Sequence, residues 1–138
     1  MSDAMIETLL NAPYVAKFGI YFERKGDELT GVLPYGEHLV GNPLVPALHG
    51  GAVGAFMEVV ASGALLASQR LVRLPKPIDV AVDYLRPARP IDVYARAVIG
   101  RSGARVANVR VEAWQGRRDA PVATLHGHFL IKQQPVDA

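Results

Sequence analysis

The segment GAVGAFMEVVASGALLA, residues 51–67, decides the fold. It contains no proline, opens on the second glycine of the Gly50-Gly51 pair, and carries apolar or small residues on nearly every side. This spacing predicts one long helix from Gly51 to about Leu71. A helix that is apolar almost all round must be buried rather than laid on a surface. Glu58 interrupts the weakly polar stretch 50–68, which is otherwise rich in Gly, Ala and Ser, so a core helix explains it better than a membrane span.

Four strand-like segments follow the helix, near residues 78–86, 91–101, 104–115 and 120–132. Turn sequences separate them: RPARP at 86–90, RSGA at 101–104 and QGRRD at 115–119. From Val106 to Glu112 polar and apolar residues alternate, which puts Asn108, Arg110 and Glu112 on one face of a strand and apolar residues on the other. Upstream, residues 3–17 read as a short amphipathic helix with Ile6, Leu9, Leu10 and Val15 turned inward. Ile20–Lys25 and Glu28–Pro34 read as a hairpin across Gly26 and Asp27. The stretch HLVGNPLVPALHGG, residues 38–51, reads as a loop because of its prolines and glycines. The order is helix, two strands, one apolar helix, then an antiparallel run of four strands. An antiparallel sheet with one face to cover and a helix that must be buried satisfy each other if the sheet wraps the helix. The expectation is an α+β fold in a single domain over residues 1–138.

Bulk composition narrows the chemistry. The chain has 138 residues, half of them apolar and a fifth charged, with a net charge of +2 and no cysteine. Disulfides, thiolate nucleophiles and cysteine-type zinc sites are thereby excluded, and a reducing, cytoplasmic location fits. The N-terminus lacks the basic start and apolar run of a signal peptide. Arginines gather in the second half, at Arg86, Arg89, Arg96, Arg101, Arg105, Arg110, Arg117 and Arg118. They are either solvated strand edges or contacts for an anionic, phosphorylated ligand. No helix bears a basic stripe and no basic patch is interleaved with aromatics, so a nucleic acid partner is not expected.

Glu58 is the only ionisable group between His49 and Arg70. A buried lone carboxylate needs a partner, a raised pKa or a water-lined pocket. The alternative is a narrow solvated stripe shared with Ser62, one turn on. The first N–H groups of a helix have no internal partner and carry the positive end of its dipole, so the turn His49-Gly50-Gly51 can polarise a carbonyl or hold an oxyanion. Those glycines also suit a plain tight turn. Glu58 lies roughly 12 Å along the helix from Gly50, so both reach one reacting atom only if two subunits share a site.

With these pieces in order, the chain resembles the hotdog-fold thioesterases, specifically the PaaI-like, phenylacetate-degradation group of the 4-hydroxybenzoyl-CoA thioesterase superfamily. The resemblance spans about residues 15–132 and rests on Asn42-Pro43-Leu44, His49-Gly50-Gly51, Glu58 nine residues after His49, the run Asp83–Ala88, and the turn Gly100–Val106. It implies an acyl-CoA thioesterase working as a homodimer or homotetramer, with no cofactor beyond the coenzyme A of the substrate and no membrane partner. By the same resemblance Glu58 is nucleophile or general base, Gly50 offers its N–H to the thioester carbonyl, and His49 orders the turn. Asn42 helps hold the attacking water or carboxylate. Gly51, Ser62, Arg86, Arg101, Ser102, Gly103 and Arg105 contact substrate, the arginines facing the pantetheine arm or the nucleotide phosphates. One departure stands out: relatives place the Asn six residues before the His, whereas here Asn42 is seven before and Pro43 is sixth. Pro77 also stands where some relatives have a hydroxyl residue. Phe56, Met57, Val60 and Leu85 are expected to line an apolar acyl pocket.

Other functions carry less weight. Hydratases and dehydratases of this fold show an Asp and His pair before the helix, and no acid lies between Asn42 and Gly51. A non-catalytic acyl-CoA sensor would normally carry an output domain. His126 and His128 share one side of a strand, but no third metal ligand accompanies them, so no metal is expected. Ser62 has no evident base to make it a nucleophile. Gly50, Gly51 and Gly54 follow a loop rather than a strand, unlike a dinucleotide fingerprint. Trp114 and Phe129 read as core or strand-face residues.

Overall fold

The computed structural model describes residues 3–42 and 44–135. Its elements run α1 (Asp3–Leu10), α2 (Pro13–Phe18), β1 (Tyr21–Lys25), β2 (Glu28–Leu33), a 3₁₀ turn (Glu37–Leu39), β3 (Val40–Asn42), β4 (Val45–Leu48), α3 (Gly50–Ser68), β5 (Lys76–Tyr84), β6 (Val93–Ser102), β7 (Val106–Trp114) and β8 (Ala123–Leu130).

The expected amphipathic helix is broken in two. Pro13 has no N–H to continue a helix but fits a first turn, so α1 ends and α2 begins on it. Gly19, at φ 74°, closes α2 in the left-handed conformation, and Val15 anchors it in the core. The loop read at 38–51 holds its own short pair, β3 against β4, whose register slips at Asn42.

All pairings in the main sheet are antiparallel, in the order β1-β2-β6-β7-β8-β5. β5 therefore does not pair with β6, its successor, but crosses to the far edge beside β8. Pro87 and Pro90 in the connection leave no tight hairpin, and the Ala88 carbonyl instead accepts from Leu48 N–H at 2.9 Å, near the start of α3.

The inner residues of β7 and β8, Ala107, Val109, Val111, Leu125 and Phe129, are fully or almost fully buried, as is Phe56 on α3. Full burial of a Phe or Leu stabilises by about 1.5–3 kcal/mol, so the helix is held by its packing rather than by its own propensity. Two glycines let it seat. A Cβ on Gly31 would overlap Val60, and one on Gly63 would overlap the Phe22 ring. The helix is long and apolar enough to cross a bilayer, yet the sheet encloses most of it. A curved antiparallel sheet around a central helix is the expected hotdog arrangement.

Candidate functional site

His49 caps α3: its backbone is extended and its Nδ1 accepts from Gly51 N–H at 2.9 Å. The Ala52 and Val53 N–H groups reach the His49 carbonyl, at 3.0 and 3.3 Å. Among the described residues no acceptor takes Gly50 N–H, which is left free at the positive end of a 19-residue helix. From the other side, the Tyr84 hydroxyl donates to the Gly50 carbonyl at 2.7 Å.

Gly50 opens onto a cavity of about 280 Å³ lined by Val53, Tyr84, Leu85, Arg86, Ala88 and Val122, among others. The sequence-predicted Gly50 and Arg86 are thus brought together. The Arg86 guanidinium is turned to the Pro121 carbonyl. Of the expected acyl-pocket residues only Leu85 lies here. Phe56, Met57 and Val60 are 1% exposed or less and belong to the core, because the helix turns them onto the sheet.

Glu58 does not line this cavity. It is half-buried and makes no hydrogen bond or ion pair among the described residues; burial pushes its carboxyl pKa above the usual 4.5. Its charge acts on Tyr14 of α2, whose phenol is raised first by burial and second by Glu58. Nothing in the local sequence signalled that neighbour, since the break at Pro13 sets where α2 lies. Ser62, one turn further on, is buried. Along α3, eight residues at about 1.5 Å each put Glu58 about 12 Å from Gly50. In one chain the two do not meet.

Asn42 is exposed, and its Oδ1 accepts from Leu44 N–H at 3.0 Å, closing the turn between β3 and β4. Pro43, the residue at the sixth place before His49, lies outside the described residues. The arginine turn is at the opposite end of the sheet. Val106 and Lys76 both pair with Leu130, so Arg101–Arg105 sits by the start of β5 while Tyr84 ends it. Eight strand residues at about 3.3 Å put these ends roughly 26 Å apart. Gly103 N–H bonds the Val106 carbonyl at 2.9 Å, and Ser102 accepts from Gln69 at 2.6 Å. Beside them Arg105, Arg73 and Lys132 line a second cavity of about 530 Å³ that has no carboxylate among its lining residues.

His128 bonds Asp79 through Nδ1 at 2.8 Å and Asn108 through Nε2 at 3.2 Å, a ladder of directly opposed residues across three strands. Among the described residues no group of three His, Cys, Asp or Glu is placed to hold a metal. Trp114 lies on the outer sheet face with Arg118 and Arg96 at 5.3 and 6.0 Å from its ring, while Phe129 is core.

Comparison with known proteins places these features in a family. The model of the thioesterase superfamily matches residues 46–122, more than half of the chain, from within β4 to the residue before β8. A crystal structure of a Chromobacterium violaceum protein is 38% identical, with 97% of this chain and 92% of that one covered and a TM-score of 0.72. A Ralstonia eutropha protein described as phenylacetic acid degradation-related shares the fold at 23% identity and TM-score 0.75, covering 91% of this chain and 98% of that one. A Bacillus halodurans protein solved with CoA does so at 18% identity and TM-score 0.77, with 98% of each covered. Among curated proteins none matches.

Proposed function

Because the chain belongs to the thioesterase superfamily, we propose that it hydrolyses acyl-CoA thioesters to a free acid and coenzyme A, at sites shared between two copies. The observation that carries the reading is the unclaimed Gly50 N–H at the start of α3, opening on a mainly apolar cavity. A thioester carbonyl directed at that N–H gains a donor that strengthens as its oxygen takes up negative charge. Glu58 supplies the other half. As a carboxylate it either attacks the carbonyl carbon or removes a proton from an attacking water. The tetrahedral intermediate then collapses and the C–S bond breaks with loss of the CoA thiolate. If Glu58 attacked, water cleaves the resulting anhydride. A carboxylate without a hydrogen-bonding partner keeps its lone pairs available for either role.

The gap of about 12 Å within one chain supports sharing between copies. β5 offers the means: it is a nine-residue edge strand, mostly exposed, with Ile78 and Val80 uncovered. Unpaired edges of that length invite pairing with a second copy. Two β5 strands paired antiparallel would bring the Lys76 end of one copy, with its Arg105, Arg73 and Lys132, beside the Tyr84 end of the other. CoA phosphates then have cations near the cavity that holds the thioester, and the Bacillus halodurans relative was solved with CoA. A homodimer is the unit this requires, and a homotetramer of two such dimers is compatible with it. The chain's lack of cysteine suits a cytoplasmic setting.

The test is thiol release from a panel of aliphatic and aromatic acyl-CoA substrates by wild type and Glu58→Ala. At least one substrate is expected to turn over, with loss of about 10²–10⁴ in kcat in the variant and an unchanged fold. Glu58→Ala at near wild-type activity would remove Glu58 from the mechanism.

A further inference from the structure

The contacts that Tyr84 makes at the start of α3 give it a definite task. It ends β5, and its ring lies over the first turn of α3. A Cβ on Gly50 would stand 3.2 Å from two ring carbons, and one on Gly54 would stand 3.3 Å from the hydroxyl. Both residues lack a side chain where the ring needs the room. The strand end is itself held, since Leu85 and Arg86 N–H both donate to the Val122 carbonyl, at 2.9 and 3.2 Å.

The peptide between Gly50 and Gly51 is gripped at both ends. Its carbonyl accepts from Tyr84 at 2.7 Å, and its N–H donates to His49 Nδ1 at 2.9 Å. Two consecutive glycines have the widest backbone freedom of any pair, so without such a grip the preceding peptide would point its N–H in many directions. We propose that Tyr84 is a positioning residue which, with His49, clamps the Gly50–Gly51 peptide and so aims the free Gly50 N–H into the cleft. The proposal rests on the thioesterase reading for its consequence, though not for the clamp itself. A donor aimed beforehand at the developing oxyanion costs no rearrangement during the reaction, so its effect falls on kcat.

Tyr84→Phe keeps the ring over Gly50 and Gly54 and removes only the hydroxyl. The expected result is a drop in kcat of about three- to tenfold, the net worth of one hydrogen bond, with KM and the melting temperature nearly unchanged. Hydrogen exchange at the Gly51 amide should speed up in the same variant. Gly54→Ala, which adds a methyl against the hydroxyl while favouring the helix, should also lower kcat without loss of melting temperature. Wild-type kcat in Tyr84→Phe would overturn the proposal. If wild type hydrolyses no thioester, the functional reading fails by itself, and the Gly51 amide decides the clamp: faster exchange in Tyr84→Phe upholds it and an unchanged rate refutes it.

Discussion

Mixing two inactive variants tests whether the site is built from two chains. The first is Glu58→Gln, which keeps the shape of the side chain and removes its charge. The second is Gly50→Pro, which deletes one N–H from the backbone. Proline is favoured at the first position of a helix, and the residue before it must be extended. Gly50 is that first position and His49 has φ −61° and ψ 127°, so the backbone already suits the change, with only the Tyr84 ring at 3.2 Å to adjust. Loss of the donor should cost about 10²–10³ in kcat, and loss of the base or nucleophile about 10²–10⁴. Each variant alone is then nearly silent.

The structure sets what the mixture does. Gly50 and Glu58 are eight residues apart on one helix, about 12 Å by its rise, further than a single reacting group can bridge. The proposed site therefore draws Gly50 from one copy and Glu58 from the other. In a two-fold dimer carrying one variant chain of each kind, one of the two sites has both defects and the other has neither. With equal amounts and free exchange of subunits, half the dimers are mixed, and recovered activity should be about a quarter of wild type. The assay is thiol release after co-refolding or long co-incubation, with mixing verified by a size-tagged chain. Proven mixed dimers that show no recovery would refute the shared site.

Two further outcomes follow from the same geometry. Burial raises the Glu58 pKa; a raised folded-state value gives stability that is full below the unfolded pKa and is lost as pH rises through the folded one. Glu58→Gln should therefore melt near wild type below about pH 4.5 and above it at neutral pH, while the acid limb of wild-type kcat/KM lies above the ordinary carboxylate range; equal melting differences at both pH values would contradict this. At the other end of the sheet, Arg105→Glu should raise KM for acyl-CoA by about tenfold, as loss of a charge-assisted contact does, and leave the hydrolysis of an S-acyl-N-acetylcysteamine unchanged. An equal effect on both substrates would place Arg105 outside phosphate binding.

The central helix, the hairpin around Gly26 and the strands after the helix were legible because each leaves a local periodic mark. Val53, Phe56 and Val60 repeat at helical spacing, and Ala107, Val109, Val111 and Ala113 at strand spacing. The expected helix runs three residues past its observed end, to Leu71 rather than Ser68, and the single expected N-terminal helix is divided at Pro13, where proline carries the signal in the sequence itself. The expected acyl-pocket residues differ from the observed lining for another reason. Apolar type marks Phe56, Met57 and Val60 as inward-facing, but it does not say whether inward means cavity or sheet.

By itself, the amino-acid order determined which segments bury a face, where the unpaired amides of α3 begin, and that a lone acid stands two turns along it. Those properties depend on neighbours within a few residues. Only the tertiary structure decided that β5 crosses to the edge beside β8, that Tyr84 reaches back 34 residues to Gly50, and that the arginine turn ends up far from Gly50 in the same chain. Strand partners and cross-chain hydrogen bonds are chosen by how whole surfaces fill space together, and periodicity along a segment records which face is apolar but not what will cover it.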